Sequence, residues 1–233
     1  MLVKPQTTSM AKIKVIGVGG AGGNAIDNMI ENYDVDGVEF IAVNTDAQAL
    51  ASNKAEIKLQ IGTEITRGLG SGGNPQIGKK SAEESVDLLH EHLAGADMVF
   101  ITAGMGGGTG TGASPVIAGI AKNLGALTIA IMEKPFAFEG KRRMETAIKG
   151  IGEMKDKVDT LVVIPNQKLF EVVDENISFL EAMRKIDDIL AQAVKSISQL
   201  INQTGKINVD FADIKSIMSN AGTALMGLSL IHI

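Results

Sequence analysis

The stretch GGGTGTG at 106–112 constrains the fold of this chain more than any other feature of its sequence. Glycine loses more conformational freedom on folding than any other residue, so a run this dense indicates that something approaches the backbone closely. The run follows a strand pattern at 96–104 and precedes a helical pattern at 113–125. This order is typical of a phosphate-binding loop, because backbone N–H groups and the helix dipole point at the anion. The hydroxyls of Thr109 and Thr111 can add further donors.

Short β-branched runs alternate with amphipathic patterns through most of the chain. The sequence predicts strands at 12–19, 37–46, 55–62, 96–104, 126–133 and 159–166, and helices at 24–33, 79–95, 113–125 and 140–158. This alternation favours parallel βαβ units, so we expect an α/β fold with a Rossmann-like parallel sheet and helices on both faces.

A different pattern begins at Ile177. From there to Asn202 the chain contains neither proline nor glycine, and its apolar residues recur with a helical period. The pattern predicts one long central helix with a buried stripe, and Gly205 is placed to cap its C-terminus.

The composition disfavours several classes of function. Aromatic residues make up 3% of the chain, Trp is absent and the net charge is -5, which argues against nucleic-acid binding through stacking or phosphate contacts. The lack of cysteine excludes disulfides and thiolate metal sites. The sequence contains no apolar run of the roughly 18 residues that a membrane span needs and no signal-peptide core. We therefore expect a cytoplasmic protein without direct membrane insertion.

Two other glycine clusters are weaker signals. The segment GVGGAGGNA contains the G-x-G-x-x-G pattern at Gly17, Gly19 and Gly22, for which tight strand-to-helix packing is the alternative to nucleotide binding. The loop at 66–78 ends like the start of a P-loop, but Lys80 stands where a Ser or Thr would bind magnesium. We interpret it as a flexible loop on the nucleotide side.

An NAD-binding Rossmann oxidoreductase is the main rival interpretation. It requires an acidic residue at the end of the second strand to hold the ribose, and Asp46 could serve. Such a domain does not need a second glycine-rich loop, and two loops suit a triphosphate better than a pyrophosphate. The residues favour a nucleoside triphosphate and leave NAD as the alternative.

Several motifs, in the same order, resemble the tubulin/FtsZ family of GTPases. GGGTGTG looks like the family signature, and the segments similar to the bacterial FtsZ cell-division proteins are GVGGAGGNA, AVNTDAQAL, TRGLGSGGNPQIG, KPFAFEGKRR and INVDFADIKSIM. The resemblance extends from Ile13 to Gly227. It implies a GTP-binding and GTP-hydrolysing cytoskeletal protein that forms head-to-tail filaments in the bacterial division ring at mid-cell.

The resemblance also implies which residues bind GTP. Those expected at the phosphates, ribose and base are Gly20, Ala21, Gly22, Gly23, Asn24, Gly107, Gly108, Thr109, Gly110, Glu139, Arg143, Asn166, Met183 and Asp188. Asn166 and Asp188 match the guanine readers, although from the residues alone Asp188 would be an exposed helix carboxylate beside Asp187. Met183 departs from the family, which usually has a phenylalanine stacked on the base, but methionine can still pack against an aromatic face. Mg²⁺ is expected on the phosphates, held mostly by water, with no metal ligand from the protein.

The residues expected to activate water lie far along the chain, in the segment NVDFAD. Its members are Asn208, Asp210 and Asp213, and taken alone Asp210 would cap a helix that begins near Phe211. The resemblance implies instead that the three residues enter the nucleotide site of the next subunit and complete hydrolysis in trans, so that activity depends on self-assembly. A non-hydrolysing GTP-dependent scaffold stays open as an alternative.

The resemblance finally divides the chain into segments. We expect a flexible N-terminal segment at 1–12, a GTP-binding domain at 13–176, the long helix at 177–203, the catalytic loop with its following helix at 204–227, and a non-native end at 228–233. The family's second domain, and the tail that binds membrane tethers and regulators of the division ring, are expected to be absent. GTP binding should be retained and filament assembly impaired.

Overall fold

A computed structural model describes residues 11–33, 35, 37–171, 178–202 and 210–224. Its strands are β1 (Ile13–Val18), β2 (Val38–Asn44), β3 (Ile57–Gln60), β4 (Met98–Gly104), β5 (Leu127–Lys134), β6 (Thr160–Pro165) and β7 (Gly222–Ala224). Its α-helices are α1 (Gly19–Asn32), α2 (Ala47–Ser52), α3 (Thr63–Thr66), α4 (Pro75–Glu84), α5 (Val86–Leu93), α6 (Thr109–Asn123), α7 (Lys141–Met154), α8 (Phe179–Asn202) and α9 (Phe211–Met218). Short 3-10 helices occupy Ala137–Glu139 and Asn166–Glu171.

The described strands form one parallel sheet in the order β3-β2-β1-β4-β5-β6-β7. The chain moves outward from β1 to β3, then returns to the other side of β1 and continues outward through β4, β5 and β6. In open parallel sheets, ligands bind at the carboxyl ends of the strands where the order reverses, which here is between β1 and β4. The predicted Rossmann-like α/β fold is confirmed.

Both faces of the sheet are covered, which explains why β4 is apolar at nearly every position. Val99 and Ile101 of β4 face a core formed with α4, α5, α6 and α7. Met98 and Phe100 face the opposite core, which contains α1, α8 and α9. The sheet therefore holds its strand ends in a fixed frame, on which loops from both sides meet.

The helices begin earlier than the sequence predicts. α1 begins at Gly19 instead of residue 24, and α6 begins at Thr109 instead of residue 113. Glycine has a low helix propensity, so the sequence predicts loops at these positions. Packing against other elements outweighs this propensity, and the N–H groups of a first helical turn need no partner within the helix. The glycine clusters are therefore helix starts as well as loops.

The predicted helix at 79–95 is two helices. α4 and α5 are separated at Ser85, whose hydroxyl accepts a hydrogen bond from the N–H of Gly62 at 3.1 Å. α4 already begins at Pro75, inside the predicted glycine-rich loop, and Asn74 caps it. Proline at the first helical position and asparagine before it are favourable helix-start residues.

The described residues 210–224 add a helix and a strand at the far end of the sheet. β7 pairs with β6, and the N–H of Gly222 donates to the carbonyl of Asp159 at 3.0 Å. The sequence did not predict this three-residue strand, which is too short to show a period. Of the predicted segments, residues 1–10, 172–177, 203–209 and 225–233 lie outside the described residues, and Gly205 and Asn208 lie there too.

Candidate functional site

A cleft of about 230 Å³ opens at the carboxyl ends of β1, β4, β5 and β6. It is bounded by the first turns of α1 and α6, by the 3-10 turn Ala137–Glu139 and by the start of α8. The predicted GTP-binding residues that line it are Gly20, Ala21, Gly107, Gly108, Thr109, Gly110, Glu139, Arg143, Asn166 and Met183. The fold thus brings these distant segments to one place, and their role in binding stays a prediction.

Four predicted residues do not line this cleft. Gly23 and Asn24 line a neighbouring cavity of about 90 Å³ beside α1 and α2. Gly22 is buried, and a Cβ on it would lie 2.5 Å from the carbonyl oxygen of Thr102, so Gly22 allows α1 to pack on β4. The fourth, Asp188, points toward α1 and is described below.

One half of the cleft offers backbone donors. α1 and α6 both begin here and lie in close contact. A Cβ on Gly19 would lie 2.9 Å from the amide nitrogen of Gly110. Neither helix has an acidic residue in its first turn or a side-chain cap. Their first N–H groups therefore receive no side-chain cap, and two helix dipoles favour an anion at this point.

The glycine-rich run has a second structural cause besides ligand approach. Gly107 faces open space, with no atom within 4 Å of an ideal Cβ. A Cβ on Gly108 would collide with the hydroxyl of Ser71, and one on Gly112 with the carbonyl oxygen of Pro75. Part of the glycine content therefore permits the close contact of α6 with α4, which the sequence interpretation did not foresee.

The threonine hydroxyls of the run are bonded within the protein. Thr109 Oγ1 lies 2.7 Å from Thr45 Oγ1 and 3.0 Å from Ser71 Oγ. Thr111 Oγ1 accepts the N–H of Gly106 at 2.8 Å, and Thr111 is buried outside the cleft lining. The hydroxyl of Thr111 thus fixes the shape of the loop, and the expectation that it adds a donor for the ligand stays a prediction.

Glu139 and Arg143 form one rim of the cleft. Arg143 Nη1 lies 3.1 Å from Glu139 Oε2, one helical turn away in sequence. The other oxygen, Glu139 Oε1, accepts the N–H of Phe136 at 2.8 Å. The stem of Arg143 passes close to Gly106, since an ideal Cβ there would lie 2.7 Å from Arg143 Cγ. The rim can therefore supply a cation to an anionic ligand.

The other half of the cleft offers acceptors. Asn166 and Glu133 are 4% and 3% exposed, and Asn166 Oδ1 and Glu133 Oε1 have no hydrogen-bond partner among the described residues. Burial raises the pKa of Glu133 to about 7, the charges of Asp187 and Glu139 raise it further, and a hydrogen bond from Asn166 acts in the opposite direction. Sequence analysis missed Glu133, although a glutamate at the carboxyl end of the apolar strand ALTIAIME was a visible signal.

The two adjacent aspartates of α8 face different partners. Asp188 Oδ1 accepts from Asn28 Nδ2 at 3.2 Å, and the same carboxylate raises the pKa of the Tyr33 hydroxyl, so Asp188 faces α1 and the residue that follows it. Asp187 lies one turn after Met183, about 40° around the helix, whereas Asp188 lies about 140° away. Because Met183 lines the cleft and the charge of Asp187 acts on Glu133, the structure places Asp187 on the cleft side. Burial raises the pKa of Asp187 to about 7, and the charges of Asp188 and Asp27 contribute.

Asp210 and Asp213 do not line the cleft. Asp210 holds the N-cap position of α9 but makes no capping hydrogen bond, so the helix-cap interpretation is only partly right. Both side chains are exposed. The end of α9 contacts the starting edge of the sheet, where Thr160 Oγ1 donates to the carbonyl of Met218 at 2.9 Å. These carboxylates are therefore carried by the part of the chain that meets the edge opposite the cleft.

Asp46 has a structural partner that weakens the NAD interpretation. Its Oδ1 accepts the N–H groups of Gln48 and Ala49 at 2.9 and 3.1 Å, capping α2. The cap occupies Oδ1 and fixes the carboxylate on α2, which leaves only Oδ2 for a ribose hydroxyl.

Within the described ranges, no group of three or more His, Asp or Glu side chains could hold a metal ion. Among the helices of those same ranges, none is both long and apolar enough to cross a membrane.

Residues 12–174 match the Tubulin/FtsZ family, GTPase domain. The chain belongs to this family. The predicted resemblance is thereby confirmed, since the match covers more than half of the sequence.

Solved structures that are similar to this chain have the same fold. An empty FtsZ dimer from M. jannaschii is 49% identical, with 93% of this chain and 63% of that chain covered and a TM-score of 0.88. A mutant of FtsZ from M. jannaschii is 50% identical, with 93% of this chain and 64% of that chain covered and a TM-score of 0.88. CetZ2 from Haloferax volcanii, a GTPγS-bound protofilament, is 24% identical, with 92% of this chain and 64% of that chain covered and a TM-score of 0.78. This similarity supports the fold alone. The chain spans about 63% of the length of the first of these.

Proposed function

We propose that this chain binds GTP in the cleft and hydrolyses it to GDP and phosphate as a subunit of a cytoskeletal filament. The observation that carries the proposal is the division of the cleft into backbone donors at one end and buried acceptors at the other. Phosphates fit the starts of α1 and α6, and a base with N–H donors fits the acceptor end. Adenine offers no N–H group at its N1 position, whereas guanine offers N1–H and an amine.

Asp187 is our proposed guanine reader, in place of Asp188. The carboxylate of Asp188 faces Asn28 and Tyr33, and that of Asp187 lies on the Met183 side of α8. A carboxylate accepts both guanine donors and rejects a base that presents acceptors, because the buried charge would then be unpaired. Asn166 would serve beside it with its unpartnered Oδ1.

Mg²⁺ would be held by the phosphates and water, since the described cleft supplies no cluster of protein ligands.

Hydrolysis in trans is the second part of the proposal. The carboxylates in the described lining are Glu133, which is buried, and Glu139, which is paired with Arg143. Asp210 and Asp213 are exposed and lie outside this lining. Supplied by the next subunit with Asn208, they would polarise the attacking water, and such a head-to-tail contact is open-ended and builds filaments.

At the level of the cell, we propose a cytoplasmic protein of the bacterial division ring at mid-cell, whose main partner is a second copy of itself. Membrane tethers and regulators would join through parts of the full-length protein. The non-hydrolysing scaffold stays the second candidate, because Asp210 also holds the N-cap position of α9.

Mixing two defective variants tests hydrolysis in trans. Asp213→Ala keeps the cleft, and Gly107→Asp places a carboxylate in the open space where phosphate is expected. Each alone should lose phosphate release from GTP by on the order of 10³, and the mixture should regain part of it. Gly152→Asp, in open space on α7, is the matched control and should stay active. Full activity of Asp213→Ala alone would refute the trans mechanism, whereas the absence of hydrolysis in the wild type itself would favour the scaffold.

A further inference from the structure

Glu133 is a buried carboxyl that the proposed function does not yet use. It stands at the carboxyl end of β5, opposite Gly104 of β4 in the sheet register. It lines the cleft, and its Oε2 lies 3.9 Å from the position of an ideal Cβ on Gly104. The carboxyl group is therefore next to the segment that leads into the backbone-donor half.

Two acceptor atoms in this corner lack a donor. Glu133 Oε1 and Asn166 Oδ1 are both inaccessible to solvent, and neither has a hydrogen-bond partner among the described residues. The Asn166 amide lies beside the Glu133 carboxyl and favours its ionised form, which lowers the pKa of Glu133. While Glu133 is ionised, both orphan atoms can only accept. One proton on the Glu133 carboxyl turns an acceptor into a donor, which can then satisfy the Asn166 oxygen or an oxygen of the ligand.

The charges that face this corner are mostly negative. Asp187 acts on Glu133 from α8, and Glu139 acts on it from the 3-10 turn, where Arg143 pairs with Glu139. Asp187 in turn faces Asp27 of α1 and its neighbour Asp188. Of the basic side chains in the described lining, Lys134 follows Glu133 directly and is the only one besides Arg143. A nucleotide adds several more negative charges to the same water-poor space.

We propose that Glu133 is a proton-linked positioning residue, whose neutral carboxyl orients Asn166 and whose protonation accompanies the binding of the anionic nucleotide. The inference rests on the nucleotide-binding function proposed above. Phosphates beside Gly104 disfavour the ionised carboxyl, so the complex holds a proton that the free protein holds only in part at neutral pH. Burial and the neighbouring acids bring the pKa of Glu133 to about 7, the range in which this exchange occurs.

The sign of the effect follows from linkage. Since the bound state carries more protons, affinity falls as pH rises, by up to about tenfold per pH unit for one proton. Glu133→Gln keeps the shape and a permanent N–H donor, so it imitates the protonated side chain. Its affinity should match that of the wild type at low pH and should fall less as pH rises.

The test is calorimetric titration of the full chain with GDP and Mg²⁺ at pH 6.5, 7.5 and 8.5. We expect the wild-type affinity to fall by about tenfold more than that of Glu133→Gln over this range. At pH 7.5, repeating the titration in two buffers of different ionisation enthalpy counts the protons directly. The wild type should take up more protons than the variant. The comparison subtracts the titration of the phosphates and of Asp187, which both proteins share.

The control is Glu145→Gln, which removes the same charge from an exposed carboxylate of α7 and should keep the wild-type profile. Equal proton uptake and equal pH profiles in the wild type and Glu133→Gln would overturn the inference. Should the variant not fold, as judged by circular dichroism, the wild-type count alone decides, and zero uptake or proton release overturns it. If neither protein binds guanine nucleotide at any pH, the proposed function itself has failed.

Discussion

The two halves of the cleft are built in different ways. The donor half consists of backbone N–H groups at the starts of α1 and α6, and its shape depends on glycines packed against other elements. The acceptor half consists of the buried side chains of Glu133 and Asn166, with the half-buried Asp187 outside the lining but close enough for its charge to act on Glu133. Changes in the donor half should therefore act mainly through packing, and changes in the acceptor half through protonation and specificity.

The largest effect is expected at Gly112, in the frame of the donor half. A Cβ there collides with the carbonyl oxygen of Pro75, which is backbone and cannot move aside. Gly112→Ala should lower the free energy of unfolding by about 3 kcal/mol or more. Denaturant unfolding measures it, with Gly152→Ala as the control in open space on α7, which should be neutral or stabilising. A wild-type value for Gly112→Ala would show that α4 and α6 are not held this closely.

The acceptor half should make stability depend on pH. Glu133 has a pKa raised from 4.5 to about 7, so its neutral form favours the folded state; the stabilisation is full below pH 4.5 and is lost as pH rises through 7. The shift corresponds to about 3 kcal/mol at roughly 1.4 kcal/mol per pH unit. Between pH 5 and 8 the wild type should lose stability relative to Glu133→Gln, as measured by urea unfolding. If the free energy of unfolding changed with pH in the same way in both proteins, Glu133 would have an ordinary pKa in the folded state.

The two adjacent aspartates of α8 should respond differently to substitution. Asp187→Asn should weaken GTP binding by about tenfold or more, because a charge-assisted hydrogen bond to guanine is worth roughly 1.5–3 kcal/mol. It should also improve binding of XTP, whose extra carbonyl accepts from an amide. Asp188→Asn is the matched control and should change affinity little. Binding is measured by competition with a fluorescent nucleotide, and the reverse ranking of the two variants would restore Asp188 as the reader.

The smallest effect tests the donor half without disturbing its frame. Gly107→Ala adds a methyl group in open space, so the free energy of unfolding, measured by thermal unfolding, should be unchanged within about 0.5 kcal/mol. If phosphate lies against this backbone, GTP affinity should fall by several-fold. Unchanged affinity together with unchanged stability would mean that the ligand does not approach Gly107.

Much of the site was visible in the sequence, and what was missed has physical causes. The strand-glycine-helix pattern predicted the loops after β1 and β4, because those motifs are local. Sequence could not tell that Gly22 and Gly112 are packing glycines while Gly107 is open, since this depends on Thr102 and Pro75 from other elements. It also could not orient two adjacent aspartates, although the spacing of four from Met183 to Asp187 was the available signal.

By itself, the sequence determined the α/β class, the strand and helix order, the long helix and the family, because hydrophobic period and motif order are properties of the chain alone. Tertiary structure decided which glycines meet protein and which meet open space, which aspartate of α8 faces the cleft, and that Glu133 is buried without a partner for one oxygen. Packing and the charge of neighbours fix these features, and both come from residues that are distant in sequence and adjacent only after folding.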